Sequence, residues 1–500
     1  MKADVLHRST RLLRYLLLAG AALYLAVYVG VALARMRYPF ELEWMEGGSL
    51  LEVGQVLAGR GVYRPPTPEY APMIYTPLYF YLAAAVARVV GPGFAALRLV
   101  SFAASLGCLG LIWLIVRRET ASSTLGLLSA GLFAATYRIG GAWLDIARTD
   151  SLFLCLLLGA LYLIRFHGSL RGYVLAGALI FLAFFTKQTA LVIALPLVLY
   201  ALVARRRAGI ALLATVAAAL ALSTLLMDHL HDGWYSYYVF GLPGQHRLVR
   251  GYLIGFWRDD LLATVGLAGA IGLFYFLTQA WGRQWRAALF YLVAGAGMVG
   301  ESWAARLNYG GYSNALLPAY AMIAIVFGLG LEQVLAHVQM APDDRRPWLE
   351  GYVLAILVVQ FAMLVYNPLA QVPTRQDLQA GRELVATIQA TPGEVLVPFH
   401  GYLSAMAGKS GSAHWMSVVE LIGGFGGRKT EAGERLAEEF RQAVRERRFA
   451  AIILDEYWGL CQDEIDRHYV RQGPAFQKAE VFWPVTGWRV RPSWVYVPKP

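Results

Sequence analysis

The chain has 500 residues, of which 58% are hydrophobic and only 15% charged, well short of the quarter charged that soluble domains carry. That balance excludes an ordinary soluble enzyme and points to a polytopic membrane protein, where a net charge of +11 serves topology and lipid headgroups rather than nucleic acid. Three cysteines, Cys108, Cys155 and Cys461, cannot make a disulfide framework.

The N-terminus is basic (Lys2, Arg8, Arg11, Arg14) and then apolar from Tyr15 to Ala34. Although Ala32-Leu33-Ala34 resembles a cleavage site, the run exceeds a usual signal-peptide core and reads as an uncleaved first span. Basic clusters punctuate the later apolar runs at Arg117-Arg118, Arg165/Arg171, Arg205-Arg206-Arg207, Arg283/Arg286 and Arg345-Arg346, and they belong in the cytoplasm by the positive-inside rule. Between them lie spans near 15–34, 95–116, 124–142, 150–166, 172–186, 189–204, 208–226, 260–281, 286–303, 313–336 and 349–367, about eleven crossings. Pro77 to Val90 is too short to cross and reads as a helix in the outer interface, continuing the first external loop 35–77.

Residues 1–370 therefore form the membrane domain and 371–500 a small extracytoplasmic α/β domain. In the latter, Asp377 to Ala390 and Glu431 to Arg448 read as helices, Glu394 to Pro398 and Ala450 to Leu454 as strands, and Trp488 to Val497 alternates like one or two strands. The chain is expected in a bacterial inner membrane with its N-terminus in the cytoplasm.

Polar residues collect at the outer ends of these spans. Glu41, Glu43 and Glu46 follow the first span within six positions, and at helical pitch Glu43 and Glu46 share a face. Acids at the edge of hydrocarbon are costly and mark functional sites, although a solvated acidic loop is the plain alternative. Asp145, Arg148 and Asp150 join two spans with almost no loop, and Thr186-Lys187-Gln188 interrupts a long apolar stretch. A tight capped turn and a snorkelling lysine are the plain readings there. Mixed charge at one membrane face suggests instead a polar cavity for a substrate with an anionic group and a group to be deprotonated. The loop Asp228 to Asp260 is rich in aromatics, which read as interfacial belt residues or as a cover over the site. His229-x-His231 lacks a third metal ligand. His400, His414, Asp455 and Glu456 read as surface and turn residues or as a small site at strand ends.

Four segments together resemble the GT-C integral membrane glycosyltransferases, in the branch of protein O-mannosyltransferases and the lipid A aminoarabinose transferase. They are Glu41-Leu42-Glu43-Trp44-Met45-Glu46, Tyr75-Thr76-Pro77-Leu78-Tyr79-Phe80-Tyr81, Ala147-Arg148-Thr149-Asp150 and Thr186-Lys187-Gln188, with a weaker fifth at Asn308 to Pro318. The resemblance implies a polyprenyl-phosphate-linked sugar donor used on the extracytoplasmic face, with a lipid, glycan or protein acceptor. It implies a first-loop acid as general base, Glu43 ahead of Glu41 and Glu46, with Asp150 assisting. It implies donor-phosphate contacts from Lys187, Arg148 or Arg306, and substrate contacts near Tyr75, Tyr79 and Asn308. If a divalent metal is used, Asp150 or a first-loop Glu would hold it; no other cofactor is implied. Relatives often have Lys-Pro-Pro where this chain has Tyr75-Thr76-Pro77, and Arg64 or Arg306 would have to replace that lysine.

A carboxylate that takes the acceptor proton, with cations meeting the leaving phosphate, favours in-line displacement with inversion. The rivals are a lipid-linked-glycan flippase and a non-catalytic envelope-glycan assembly component. Transporters place their charges near the bilayer midplane on repeated halves, and no second copy of the acidic loop occurs here.

Overall fold

The computed structural model describes residues 2–279, 282, 284–424 and 426–500. Arg283 and the last two residues of the expected 260–281 span lie outside the described residues. Helices follow the apolar runs. They are α1 Lys2–Arg35, α2 Glu46–Leu57, α3 Leu78–Val90, α4 Phe94–Thr120, α5 Ser123–Ala135, α6 Asp150–Phe166, α7 Leu170–Phe184, α8 Ala190–Ala204 and α9 Arg206–Leu230. Two short turns, α10 Trp234–Ser236 and α11 Tyr252–Gly255, precede α12 Ala263–Gln279, α13 Trp285–Leu307, α14 Leu317–Gln339 and α15 Arg346–Ala362.

Each expected span falls on a helix, and among the described residues six helical segments are long and apolar enough to cross a membrane by themselves. The expected span 124–142 is cut short, because α5 ends at Ala135 and residues 136–149 are irregular but buried. Asp145 and Asp150 are thus not joined by a minimal turn between two spans. The interfacial reading of 77–90 meets a helix of 13 residues, α3.

Local chemistry sets the breaks. Ser122 caps α5 by accepting from Leu125 N, and Ser169 caps α7 by accepting from Gly172 N. The far end of α7 is capped from outside. Thr76 Oγ1 donates to Phe184 O at 2.7 Å and Leu78 N to Phe185 O at 2.8 Å, so the first loop satisfies carbonyls the helix cannot. At the C-terminus of α6, Arg165 pairs with Glu119 at 2.5 Å. Asp150 heads the same helix, about 22 Å away at 1.5 Å per residue.

The tail holds α16 Arg375–Ala390, α17 Tyr402–Met406, α18 Trp415–Leu421, α19 Glu431–Arg445 and α20 Gln462–His468 around a four-stranded sheet. The strands are β1 Glu394–Leu396, β2 Phe449–Leu454, β3 Tyr469–Pro474 and β4 Trp494–Pro498, in the order β1-β2-β4-β3, with β1 and β2 parallel. Strand β3 lacks apolar alternation because it is an exposed edge. Of the stretch Trp488 to Val497, only the part from Trp494 is strand. The tail's apolar cores are shared with the first loop. Trp44, Val62 and Tyr63 pack with Phe399, Val418 and Leu454, and Phe40 and Tyr79 with Leu403 and Phe482.

Candidate active site

Residues 41–45 form a turn rather than a helix, closed by Glu46 N donating to Glu43 O at 3.0 Å, and α2 begins only at Glu46. The expected shared helical face of Glu43 and Glu46 therefore does not exist, and the three acids meet three different surroundings. Glu46 is fully engaged. Arg98 Nη2 lies 2.6 Å from Glu46 Oε2, and Leu42 N and Ala147 N each donate to its carboxylate at 2.6 Å. Burial pushes this carboxyl up, but Arg98 and the two N–H donors overcome that and hold it below the usual range. Glu41 Oε2 lies 2.5 Å from His400 Nδ1, whereas its Oε1 has no hydrogen-bond partner. Burial raises the Glu41 carboxyl to about 7 against the pull of His400. Among the described residues, the Glu43 carboxylate accepts from Met45 N alone, at 3.1 Å. Burial raises it to about 8, opposed by the Arg148 charge.

The irregular stretch 136–149 is pinned from three sides. Arg35 forks onto Asp145 at 2.6 and 2.7 Å, both side chains fully buried. Ala147 N reaches Glu46, and Ser101 Oγ donates to Arg148 O at 3.0 Å. This sets Arg148 and Asp150 side by side. Arg148 Nη2 donates to Tyr75 OH at 2.6 Å, while its Nε has no partner. Asp150 accepts from Lys187 Nζ at 2.9 Å, Asn314 Nδ2 at 3.0 Å and Trp143 Nε1 at 3.0 Å. Lys187 reaches it because the break between α7 and α8 is stitched to the first loop. Gln188 Nε2 donates to Ile74 O at 2.8 Å, beside the Thr76 and Leu78 bonds.

A cavity of about 180 Å³ opens here, lined among others by Met45, Tyr75, Lys187, Asn308, Asn314 and the tail residue Glu420. Of the expected residues, Tyr75, Lys187 and Asn308 are on its wall, with Asp150 bonded to two wall residues and Arg148 to a third. Glu43 stands two residues from Met45, within the field of Arg148. Others are elsewhere. Tyr79 OH is turned inward to Leu97 O and Ser101 Oγ. Arg306 is bound by Asp260 at 2.9 Å and Gly311 O at 2.7 Å and lies over Tyr252. Arg64 lies over Tyr70 and does not line the cavity. Tyr235 and Tyr238 are buried near Tyr63 rather than forming a belt.

Sequence reasoning passed over Arg98, Asn314 and Glu420. Arg98 had a signal, a charge inside an apolar span; Asn314 lay within the segment Asn308 to Pro318 without being singled out, and Glu420 had no signal beyond polarity. A second, apolar groove of about 640 Å³ runs between α12, α13 and α14, lined by Leu261, Val265, Leu292, Val299, Met322 and Val326 among others. Helix α13 also carries Ala305 at the polar cavity, and Asn314 stands there in the 3-10 turn Ser313–Leu316 that leads into α14.

Among the described residues, no three His, Cys, Asp or Glu side chains gather as a metal ion would need. The oxygens of Asp150 are already taken by nitrogen donors. These residues do not fit a metal cage.

Residues 72–228 match the family model described as dolichyl-phosphate-mannose-protein mannosyltransferase. The match contains Tyr75, Arg148, Asp150 and Lys187 and begins beyond the first-loop acids. In fold the chain is similar to ArnT from Cupriavidus metallidurans bound to undecaprenyl phosphate, with a TM-score of 0.59, 12% identity, and 95% of this chain and 97% of that one covered. It is also similar to the Archaeoglobus fulgidus oligosaccharyltransferase in complex with Zn and sulfate (TM-score 0.51, 12% identity, 87% and 68% covered). The oligosaccharyltransferase AglB from Archaeoglobus fulgidus, with an inhibitory peptide and a dolichol-phosphate, gives a TM-score of 0.50 at 12% identity, with 88% and 69% covered. At this identity the likeness is one of fold. No curated protein sequence matches the chain significantly. The resemblance to GT-C membrane glycosyltransferases thus extends from short motifs to a family model and to the whole fold.

Proposed function

We propose that this chain is an integral membrane glycosyltransferase that moves a sugar from a polyprenyl-phosphate-linked donor to an acceptor on the extracytoplasmic face, with inversion. The observation that carries this reading is the polar cavity whose wall holds Lys187, paired to Asp150, with Tyr75, Asn308 and Asn314 around it. An apolar groove of about 640 Å³, lined by α12, α13 and α14, offers a prenyl chain an apolar wall. ArnT with undecaprenyl phosphate and AglB with dolichol-phosphate share the fold, which supports a lipid-phosphate ligand here.

In this mechanism the donor phosphate sits against Lys187, whose ammonium keeps donors free beyond its single Asp150 bond. Arg148, with an unused Nε, adds charge behind Tyr75. The phosphate leaves as an anion that these cations stabilise, so no acid is needed on that side. Glu43 takes the proton of the acceptor hydroxyl or amine as the new bond forms at the anomeric carbon. Its raised pKa of about 8 suits a base working near neutrality. Glu46 serves the loop's structure through Arg98, and Asp150 orients Lys187.

The test is transfer by the purified full-length protein from a panel of polyprenyl-phosphate sugars to envelope extract, read as release of polyprenyl phosphate. Lys187→Ala is expected to weaken donor binding, measured on the folded fraction because the change leaves Asp150 without its cation. Undiminished donor affinity in that variant, or no turnover of any donor by the parent protein, overturns the reading.

A further inference from the structure

Of the first-loop acids, Glu41 is left without a part in the proposed transfer, yet its carboxylate is held by a buried histidine of the tail. The acid loop is gripped by the tail at several points. Trp44 Nε1 donates to Phe399 O at 2.8 Å, His414 Nε2 lies 3.1 Å from Trp44 O, and Val485 N donates to Leu42 O at 3.0 Å. These grips are neutral. His414 receives Met416 N on its other nitrogen, and burial lowers it to about 3, so it is uncharged.

The grip on Glu41 is ionic. His400 Nδ1 lies 2.5 Å from Glu41 Oε2, and His400 Nε2 lies 2.7 Å from Asp455 Oδ2. All three residues are buried. A neutral imidazole has one N–H. Carboxylate oxygens on both ring nitrogens are satisfied together only when both nitrogens carry protons, and Asp455 and Glu41 each offer just one oxygen to the pair. The carboxylates stand on opposite edges of the ring, so they cannot converge on a metal.

The backbone brings this about simply. His400 comes four residues after β1 and Asp455 directly after β2, so both sit past the carboxyl ends of adjacent parallel strands. That edge is where α/β sheets present functional groups. A buried ionic triad is weak evidence for stability, since apolar residues of the same volume do as well; what it supplies is one fixed geometry.

We infer that His400 and Asp455 are positioning residues, by which the tail clamps the acid loop through Glu41 and so holds Glu43 at the cavity. The inference rests on the transfer reading for the role of Glu43, but the clamp itself has a readout without turnover. Met45 lies on the same loop, is partly exposed and lines the cavity. In full-length Met45→Cys protein, labelling by a charged maleimide reports how firmly the loop is held. His400→Gln and Glu41→Gln are each expected to speed labelling several-fold, and the double variant to do no more than either alone, because the two residues act as one unit. Asp455→Asn, which keeps volume and shape, is expected to give a smaller effect in the same direction and serves if His400→Gln does not fold. In transfer assays His400→Gln lowers kcat, by up to about a hundredfold for a misplacement near 1 Å, with the donor KM unchanged.

Unchanged labelling in the single variants, or effects that add in the double variant, overturn the clamp whatever the activity reads. Faster labelling with kcat unchanged overturns the positioning role. Faster labelling in the variants of a parent protein that turns over no polyprenyl-phosphate sugar overturns the transfer reading and leaves the clamp standing.

Discussion

Three glutamates within six residues differ in chemistry because each has different neighbours. Glu46 has a guanidinium and two N–H donors, which keep it ionised and unavailable. Glu43 has one N–H and a low-dielectric burial that raises it to about 8. A base must be deprotonated to act, so turnover is expected to rise with pH through about 8. A pH–rate profile flat across that value would count against Glu43. Glu43→Gln is expected to lose about 10²–10⁴ in rate at wild-type folded yield, measured by polyprenyl-phosphate release. Arg98 has the opposite character. Arg98→Met strands a buried carboxylate, a change that costs roughly 3–5 kcal/mol when one partner of a buried pair is removed. Thermal unfolding in detergent should show that loss, and adding Glu46→Gln should restore part of it.

At the level of elements, the site exists where helices stop. Helices α7 and α8 have 15 residues each, and their junction is completed by the first loop through Thr76, Leu78 and Gln188. The irregular stretch before α6 is held by the Arg35–Asp145 fork rather than by helical bonds. The segment at Gly487 closes over Glu43. Its φ is +79°, and a Cβ there would lie 2.6 Å from Glu43 Cγ. Gly487→Ala therefore adds left-handed strain of about 1–2 kcal/mol and also displaces the base. Transfer rate should fall further than the melting temperature implies. Parallel assays of Gly487→Ala and of a stability-matched core variant decide this; equal activities would sink the prediction.

Across the whole molecule, tail and first loop share two apolar cores and one ionic clamp, so they stabilise one another. The clamp makes that stability depend on pH. His400 is raised to about 10 although burial alone would lower it, because Asp455 and Glu41 favour its charge. A group raised on folding contributes stability fully below its unfolded pKa, about 6.5 for His, and loses it as pH climbs through the folded value. Glu41, raised by burial to about 7, has the same sign. The melting temperature in detergent is thus expected to fall between neutrality and about pH 10, with a smaller fall in His400→Gln; equal falls would remove the clamp as the cause.

The linear chain by itself determined that this is a helical membrane protein with a mixed α/β tail, because apolar run length and strand alternation are local properties. Asp150 and Lys187 were legible as charges at two span ends, since polar residues at that depth need a reason, but their pairing was not. Only the tertiary structure decided which glutamate is spent on Arg98, which on His400 and which is left beside Arg148. Those partners lie 52, 359 and about a hundred positions away, and a carboxylate's ionisation is set by what folding brings within a few ångströms, not by its neighbours in sequence.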